Sequence, residues 1–174
     1  MTTIEDVKNA IRNIPDFPKP GILFKDITPI IHDGALFSFV IDSLYEKYKE
    51  QDFTKIAAIE SRGFIFGAAL AHRLNIGFIP VRKKGKLPYK TISVSYDLEY
   101  GTDCLEMHED ALIKEDKVLI IDDLLATGGT ADAAAQLIEK FNVSSIEFDF
   151  IIELSFLNGR AKISDYPINT MITF

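Results

Sequence analysis

Short runs of unbroken apolar residues alternate along this chain with segments whose apolar positions recur every three or four residues. The first kind predicts strands buried on both faces, the second amphipathic helices. Val118–Ile121 is the sharpest run, four apolar residues closed by Asp122 and Asp123. Lys55–Ile59, Ile76–Val81 and Ile146–Leu154 read the same way, and Thr170–Phe174 reads as an edge strand. Helical spacing covers residues 3–14 (Ile4, Val7, Ile11, Ile14), residues 35–50, Phe64–Leu74 and the alanine-rich Ala131–Phe141. Pro15–Gly21 carries three prolines and forbids a helix, and Ile22–Pro29 is expected to be extended. Ser93–Tyr100 is strand-like, and Leu105–His108 pairs back on it as a hairpin arm expected to stand off the sheet. The β-α-β-α alternation predicts an α/β fold: a central, mainly parallel sheet with helices on both faces.

Composition narrows what such a fold serves. At 174 residues, with 47% apolar and 26% charged content, the chain is long enough for one well-filled domain and carries no linker. Its 26 acids against 19 Lys and Arg give a net charge of −7, which argues against nucleic acid and anionic membrane as partners. One cysteine, Cys104, precludes an internal disulfide and fits a reducing, cytoplasmic compartment. Cys104 also lacks the basic surroundings of an activated thiolate, and no Cys/His spacing suits a structural zinc. The N-terminus has no apolar signal core, and no apolar run is long enough to span a bilayer. His72 reads as a helix-surface or packing residue, and His32 and His108 have no partner legible from spacing.

Chemistry concentrates where strands meet helices. After Asp122 and Asp123, Ala126-Thr127-Gly128-Gly129-Thr130 turns the chain into the alanine-rich helix. Small residues let backbone N–H groups approach an anion, the helix N-terminus favours negative charge, and threonine hydroxyls add donors. The two carboxylates, at the carboxyl end of a parallel strand, suit the hydroxyls of a ribose or a Mg²⁺ carried by a phosphate. A sugar phosphate is the implied ligand. Neither the Walker pattern nor G-x-G-x-x-G occurs, which excludes those two nucleotide sites. Glu60-Ser61-Arg62-Gly63-Phe64 repeats the strand–turn–helix logic one unit earlier, with the Arg62 fork as a further phosphate donor. Residues 82–90 gather five basic residues, Arg82, Lys83, Lys84, Lys86 and Lys90, in an otherwise acidic chain. They read either as a solvated surface loop or as a lid that neutralises a leaving anion and excludes water.

The run from Val118 to Thr130 resembles the phosphoribosyl-pyrophosphate (PRPP) motif of type I phosphoribosyltransferases. Pro15–Gly21, Glu60–Phe64, Gly85-Lys86-Leu87-Pro88, Leu98-Glu99-Tyr100-Gly101 and Asp122–Thr130 occur in the order seen in adenine phosphoribosyltransferases, and the likeness runs from about Ile11 to Arg160. The resemblance implies the type I fold in a single domain, 1–174, with a base-binding hood over about 1–34 and a flexible hairpin lid over about 82–108. It implies transfer of a 5-phosphoribosyl group from PRPP to adenine, giving AMP and pyrophosphate in purine salvage. Glu99 matches the proposed catalytic glutamate. Ala126, Thr127, Gly128, Gly129 and Thr130 match the 5′-phosphate loop, with Asp122 and Asp123 on the ribose. Ser61, Arg62, Gly63, Arg82 and Lys86 match the pyrophosphate side. Leu23, Phe24 and Lys25 of the hood, with Leu154, match the adenine pocket; some relatives carry Arg in place of Lys25. Mg²⁺ is implied as cofactor, arriving with PRPP rather than held by protein side chains, and a homodimer is implied as the assembly.

Two other readings fit the same residues. One is a PRPP-sensing regulator that keeps the fold without turnover, against which Lys86, Glu99 and the lack of an added DNA-binding segment weigh. The other is a phosphoribosyltransferase for a 6-oxopurine.

Overall fold

A computed structural model describes residues 2–98 and 101–174. The chain divides into two units, residues 1–47 and 48–174. In the first, Thr3 and Asp6 form a capping box: Thr3 Oγ1 accepts from the Asp6 amide (3.2 Å) and Asp6 Oδ2 accepts from the Thr3 amide (2.8 Å). The helix so opened, α1, spans Ile4–Ala10, and the periodic pattern that predicted helix to residue 14 overruns it. Arg12–Pro15 is instead a strand, β1, paired antiparallel with β2, Leu23–Asp26, in the register Ile14↔Phe24. Pro15 pushes only Ile14 out of the helical region; the chain is already extended at Ile11, and pairing with β2 holds it so from Arg12 onward. Asp16, in the left-handed region at φ 57°, closes the turn by accepting the Gly21 amide on Oδ1 at 2.7 Å.

The stretch expected to be extended also holds a short helix, α2, over Thr28–His32. Asp26 receives the Thr28 amide at 2.9 Å, and Pro29 sits in the first turn, where its missing N–H costs nothing. Asp33 then accepts from the Ala35 and Leu36 amides and launches α3, Gly34–Tyr48, close to the predicted 35–50.

In the second unit the elements follow the predicted alternation: β3 (Lys55–Ile59), α4 (Arg62–Leu74), β4 (Gly77–Lys83), β5 (Thr91–Leu98), β6 (Gly101–His108), β7 (Lys117–Leu125), α5 (Gly129–Glu139), β8 (Ser145–Glu153) and β9 (Ile168–Thr173). The seven-stranded sheet has the order β5-β6-β4-β3-β7-β8-β9. From β4 to β9 every pairing is parallel. Successive residues of β3 and β7 point to opposite faces of the sheet, and both faces are buried. Ala57, Ile59, Val118 and Ile120 join the cluster with Ala133, Ala134 and Leu137 of α5. Ile56 and Ala58 lie on the other face, where a Cβ added to Gly67 of α4 would come within 2.7 Å of the Ala58 methyl.

The hairpin differs from the expectation. It does not stand off: β6 pairs antiparallel with β4 through Arg82↔Glu106 and Lys83↔Leu105, and Leu105 and Met107 are buried in the core. Alternate β6 residues are apolar at its inner end, so the arm gains a buried face by extending the sheet. Strand β7 likewise runs past the aspartates to Leu125, with Asp122↔Phe150 and Leu124↔Ile152 still in register with β8.

Candidate active site

Parallel strands β3 and β7 end side by side, and each hands the chain to a helix whose first turn faces the same crevice. A cavity of about 420 Å³ opens there, lined by Glu60, Ser61 and Arg62 after β3 and by Asp122 through Ala131 after and along β7. Lys83, Tyr96 and Asp103 close the side toward β5 and β6. The first-turn amides of α4 and α5 have no carbonyl within their own helices to bond, and both helix dipoles present their positive ends at this edge. This is the crevice at the carboxyl ends of the strands where open α/β sheets take ligands.

Two close approaches demand glycine. A Cβ on Gly63 would lie 2.8 Å from Asp122 Oδ1 and 3.0 Å from the Ile121 carbonyl, so only glycine lets α4 start against the end of β7. Gly128, at φ 82°, caps α5, and a Cβ there would meet the Gly159 carbonyl at 2.4 Å. Reciprocally, a Cβ on Gly159 would meet the Ala126 carbonyl at 2.2 Å. The 126–130 loop is therefore shaped from behind by the short helical turn Gly159–Ile163. Arg160 ties that turn down with a two-pronged bond to Glu153 at the end of β8, 2.7 Å from Nε and 2.8 Å from Nη2, and it also donates to the Ile168 carbonyl at 3.2 Å.

Charges in the crevice are arranged in pairs. Arg62 Nε donates to Asp123 Oδ2 at 2.5 Å, and Asp123 is only 5% exposed. Burial pushes the neighbouring Asp122 carboxyl well above the usual carboxylate range, and the adjacent Asp123 charge adds to the shift. The Asp123 amide, donating to Asp122 Oδ1 at 2.8 Å, acts against it. Glu60 receives Arg82 Nε at 2.6 Å on one oxygen and Lys86 Nζ at 3.2 Å on the other. Burial alone would raise Glu60, but these two cations outweigh it and hold the carboxyl below its ordinary value. Lys83 Nζ lies 2.9 Å from Asp103, which holds the lysine charged and the carboxyl low. Burial raises the Tyr96 phenol, against a hydrogen bond from Thr130.

Of the residues singled out from sequence, Ser61, Arg62, Asp122, Asp123 and Ala126–Thr130 line one cavity, with Gly63 packed behind it. Arg82 and Lys86 flank it through Glu60. Leu154 follows β8 in the same unit and is 8% exposed, while Leu23, Phe24 and Lys25 lie on β2 of the first unit. Glu99 lies outside the described residues. Reasoning from sequence missed Glu60 as the partner of two cations and Glu106, which receives the Gly85, Lys86 and Leu87 amides. It also missed Tyr96 and Asp103, whose places on the cavity wall depend on the hairpin joining the sheet, and the bracing by Gly159. The Gly-Arg pair at 159–160 was the one legible signal among these.

Two anion-ready helix starts, paired acids between them and a basic flank define a site for a phosphorylated sugar. The phosphoribosyl transferase domain family matches residues 30–166 of the chain. An adenine phosphoribosyltransferase of Solidesulfovibrio magneticus is 54% identical over 167 residues, 96% of this chain and 98% of its own length. The crystal structure of the adenine phosphoribosyltransferase of Thermoanaerobacter pseudethanolicus superposes with a TM-score of 0.93 at 53% identity, covering 99% of this chain and 100% of that one. That of Saccharomyces cerevisiae, complexed with D-2,5-dideoxy-2,5-imino-altritol 1,6-bisphosphate and adenine, gives 0.91 at 41% identity over 97% of both chains. The chain belongs to the type I phosphoribosyltransferases and, within them, to the adenine phosphoribosyltransferase family.

Proposed function

We infer that this protein transfers the 5-phosphoribosyl group of PRPP to adenine, forming AMP and releasing pyrophosphate. The observation that carries the reading is the pair of phosphate-ready helix starts on either side of Asp122 and Asp123, in a chain about half identical to adenine phosphoribosyltransferases over nearly its whole length.

In this reading the 5′-phosphate is received by the amides and hydroxyls of residues 126–130, and the ribose hydroxyls by Asp122 and Asp123. Ser61, Arg62 and Gly63 take the pyrophosphate with Arg82 and Lys86, which exchange Glu60 for substrate oxygens. Leu23, Phe24, Lys25 and Leu154 recognise the base, and Glu99 holds the proton that the purine ring exchanges as it becomes a nucleotide. The first 34 or so residues act as the hood and residues 82–108 as the arm of a single catalytic domain.

No group of three or more His, Cys, Asp or Glu among the described residues is arranged to hold a metal ion. Asp122 and Asp123, lining the crevice, are the acidic neighbours for a Mg²⁺ that would enter with PRPP, bound chiefly by substrate oxygens and water. The ion would offset charge on the departing pyrophosphate. The chain's own contribution is positioning, charge neutralisation and exclusion of water from an anomeric carbon of oxocarbenium character. We further take the protein to work in the cytoplasm as a homodimer; no helix among the described residues is long and apolar enough to cross a membrane.

The test is a Mg²⁺-dependent turnover assay with PRPP and a panel of free bases, following pyrophosphate. Product with adenine alone is expected. Turnover with a 6-oxopurine instead would overturn the base assignment, and tight PRPP binding without turnover on any base would make the protein a sensor.

A further inference from the structure

Glu106 is a carboxylate on β6 that is only 5% exposed and pairs with no cation among the described contacts. Its Oε1 receives three consecutive backbone amides, those of Gly85 at 3.0 Å, Lys86 at 3.2 Å and Leu87 at 3.2 Å. Its Oε2 lies 3.4 Å from the Thr91 hydroxyl at the start of β5. Three successive amides converging on one anion form a backbone nest, the concavity by which loops usually take phosphate. Here the nest is filled from within the chain.

What the nest holds is the turn that carries the basic flank of the crevice. Gly85, at φ 82°, lets the chain fold so that its own amide and the next two point the same way. With that turn fixed, the Lys86 carbonyl accepts from Arg82 Nη1 at 3.0 Å and the Lys86 ammonium reaches Glu60 at 3.2 Å, beside the Arg82 guanidinium. Arg82 is itself the cross-strand neighbour of Glu106. One buried anion thus fixes the backbone of Lys86, and through it the direction of both cations. A loop of three lysines, one arginine and glycine between residues 82 and 86 has no apolar side chain of its own to hold it, so without an internal anion its conformation would be weakly determined.

We propose that Glu106 is a positioning residue for PRPP: a buried counter-anion that holds the 84–87 turn so that Lys86 and Arg82 meet the pyrophosphate group. The inference rests on the assignment of those two cations to pyrophosphate. It predicts a defect confined to PRPP, because nothing in the nest touches the base.

The experiment is a double-mutant cycle on the full-length protein with Glu106→Gln and Lys86→Ala, the latter sparing the amide that Glu106 receives. E106Q keeps the side-chain shape but removes the charge. KM for PRPP is expected to rise about tenfold in E106Q with the KM for adenine within twofold of wild type. In the K86A background the same change is expected to cost clearly less, so that the two losses fall at least threefold short of multiplying. Glu106→Asp, which keeps the charge and shortens the reach, should show the same PRPP-specific defect and serves if E106Q does not fold. Wild-type PRPP kinetics in K86A alone would overturn the pyrophosphate assignment and the route proposed for Glu106 with it. A K86A defect combined with strictly multiplicative losses, or equal rises in both KM values, would overturn the role of Glu106 alone.

Discussion

Gly159→Ala tests whether the phosphate loop is shaped from behind. Gly159 lies outside the residues that the resemblance assigns to substrate, yet its added Cβ would stand 2.2 Å from the Ala126 carbonyl oxygen and 3.0 Å from the Gly128 nitrogen. Carbon–oxygen contacts under about 3.0 Å are not tolerated, so one backbone must withdraw by the difference, about 0.8 Å. The turn at 159–163 is held by the Arg160–Glu153 pair, and Ile163 is only 1% exposed. The loop at 126–128, whose outer side is the cavity, is therefore the part that moves. A displacement approaching 1 Å in a positioning element costs up to about 100-fold in rate, or about 2.7 kcal/mol. We expect kcat/KM for PRPP to fall about 30- to 100-fold. Binding of ribose 5-phosphate, followed by calorimetry, should weaken in parallel. Overpacking should also remove about 1–3 kcal/mol of stability, leaving the protein folded at 25 °C. A folded G159A enzyme within threefold of wild type toward PRPP would refute the bracing argument.

Three further outcomes are expected. Arg160→Met should strand Glu153, which is 6% exposed, and cost about 2 kcal/mol, between exposed and fully buried pairs, read as a fall of about 5 °C in Tm; an unchanged Tm would contradict this. Asp122→Asn should raise stability while lowering activity. The folded-state pKa of Asp122 lies above its unfolded value of 3.8, so the penalty of its charge is absent below that pH and grows as pH rises through the raised value. D122N should accordingly gain in Tm relative to wild type as pH rises from about 4 towards neutral, and a gap that narrows instead would sink the argument. Glu99→Ala should lower kcat by about 10²–10⁴ while KM values change little, whereas equal losses in kcat and in binding would remove Glu99 from a transition-state role.

The sequence alone determined the elements that local chemistry dictates. Unbroken apolar runs gave β3, β7 and β8 to within two residues at each end, save where β7 continues to Leu125. Helical spacing gave α3, α4 and α5, and the order of elements gave the parallel sheet. The two anion-ready turns were legible because a small-residue loop between strand and helix has few other uses. Relations between residues far apart in the chain emerge only once the chain is folded. The spacing of Ile11 and Ile14 favours helix locally, but Pro15 and pairing with Leu23–Asp26 make Arg12–Pro15 a strand. The hairpin joins the sheet because Leu105 and Met107 find a core to enter, which periodicity within the hairpin does not reveal. Glu60 and Glu106 are acids in an acidic chain, and only the fold sets one between Arg82 and Lys86 and the other beneath three amides. Gly159 acquires its meaning 31 residues after Gly128, where two backbones pass too closely for any side chain. Local pattern fixes which segments are strand or helix; the neighbours a charge or a glycine acquires are set by packing, and packing is a property of the whole unit.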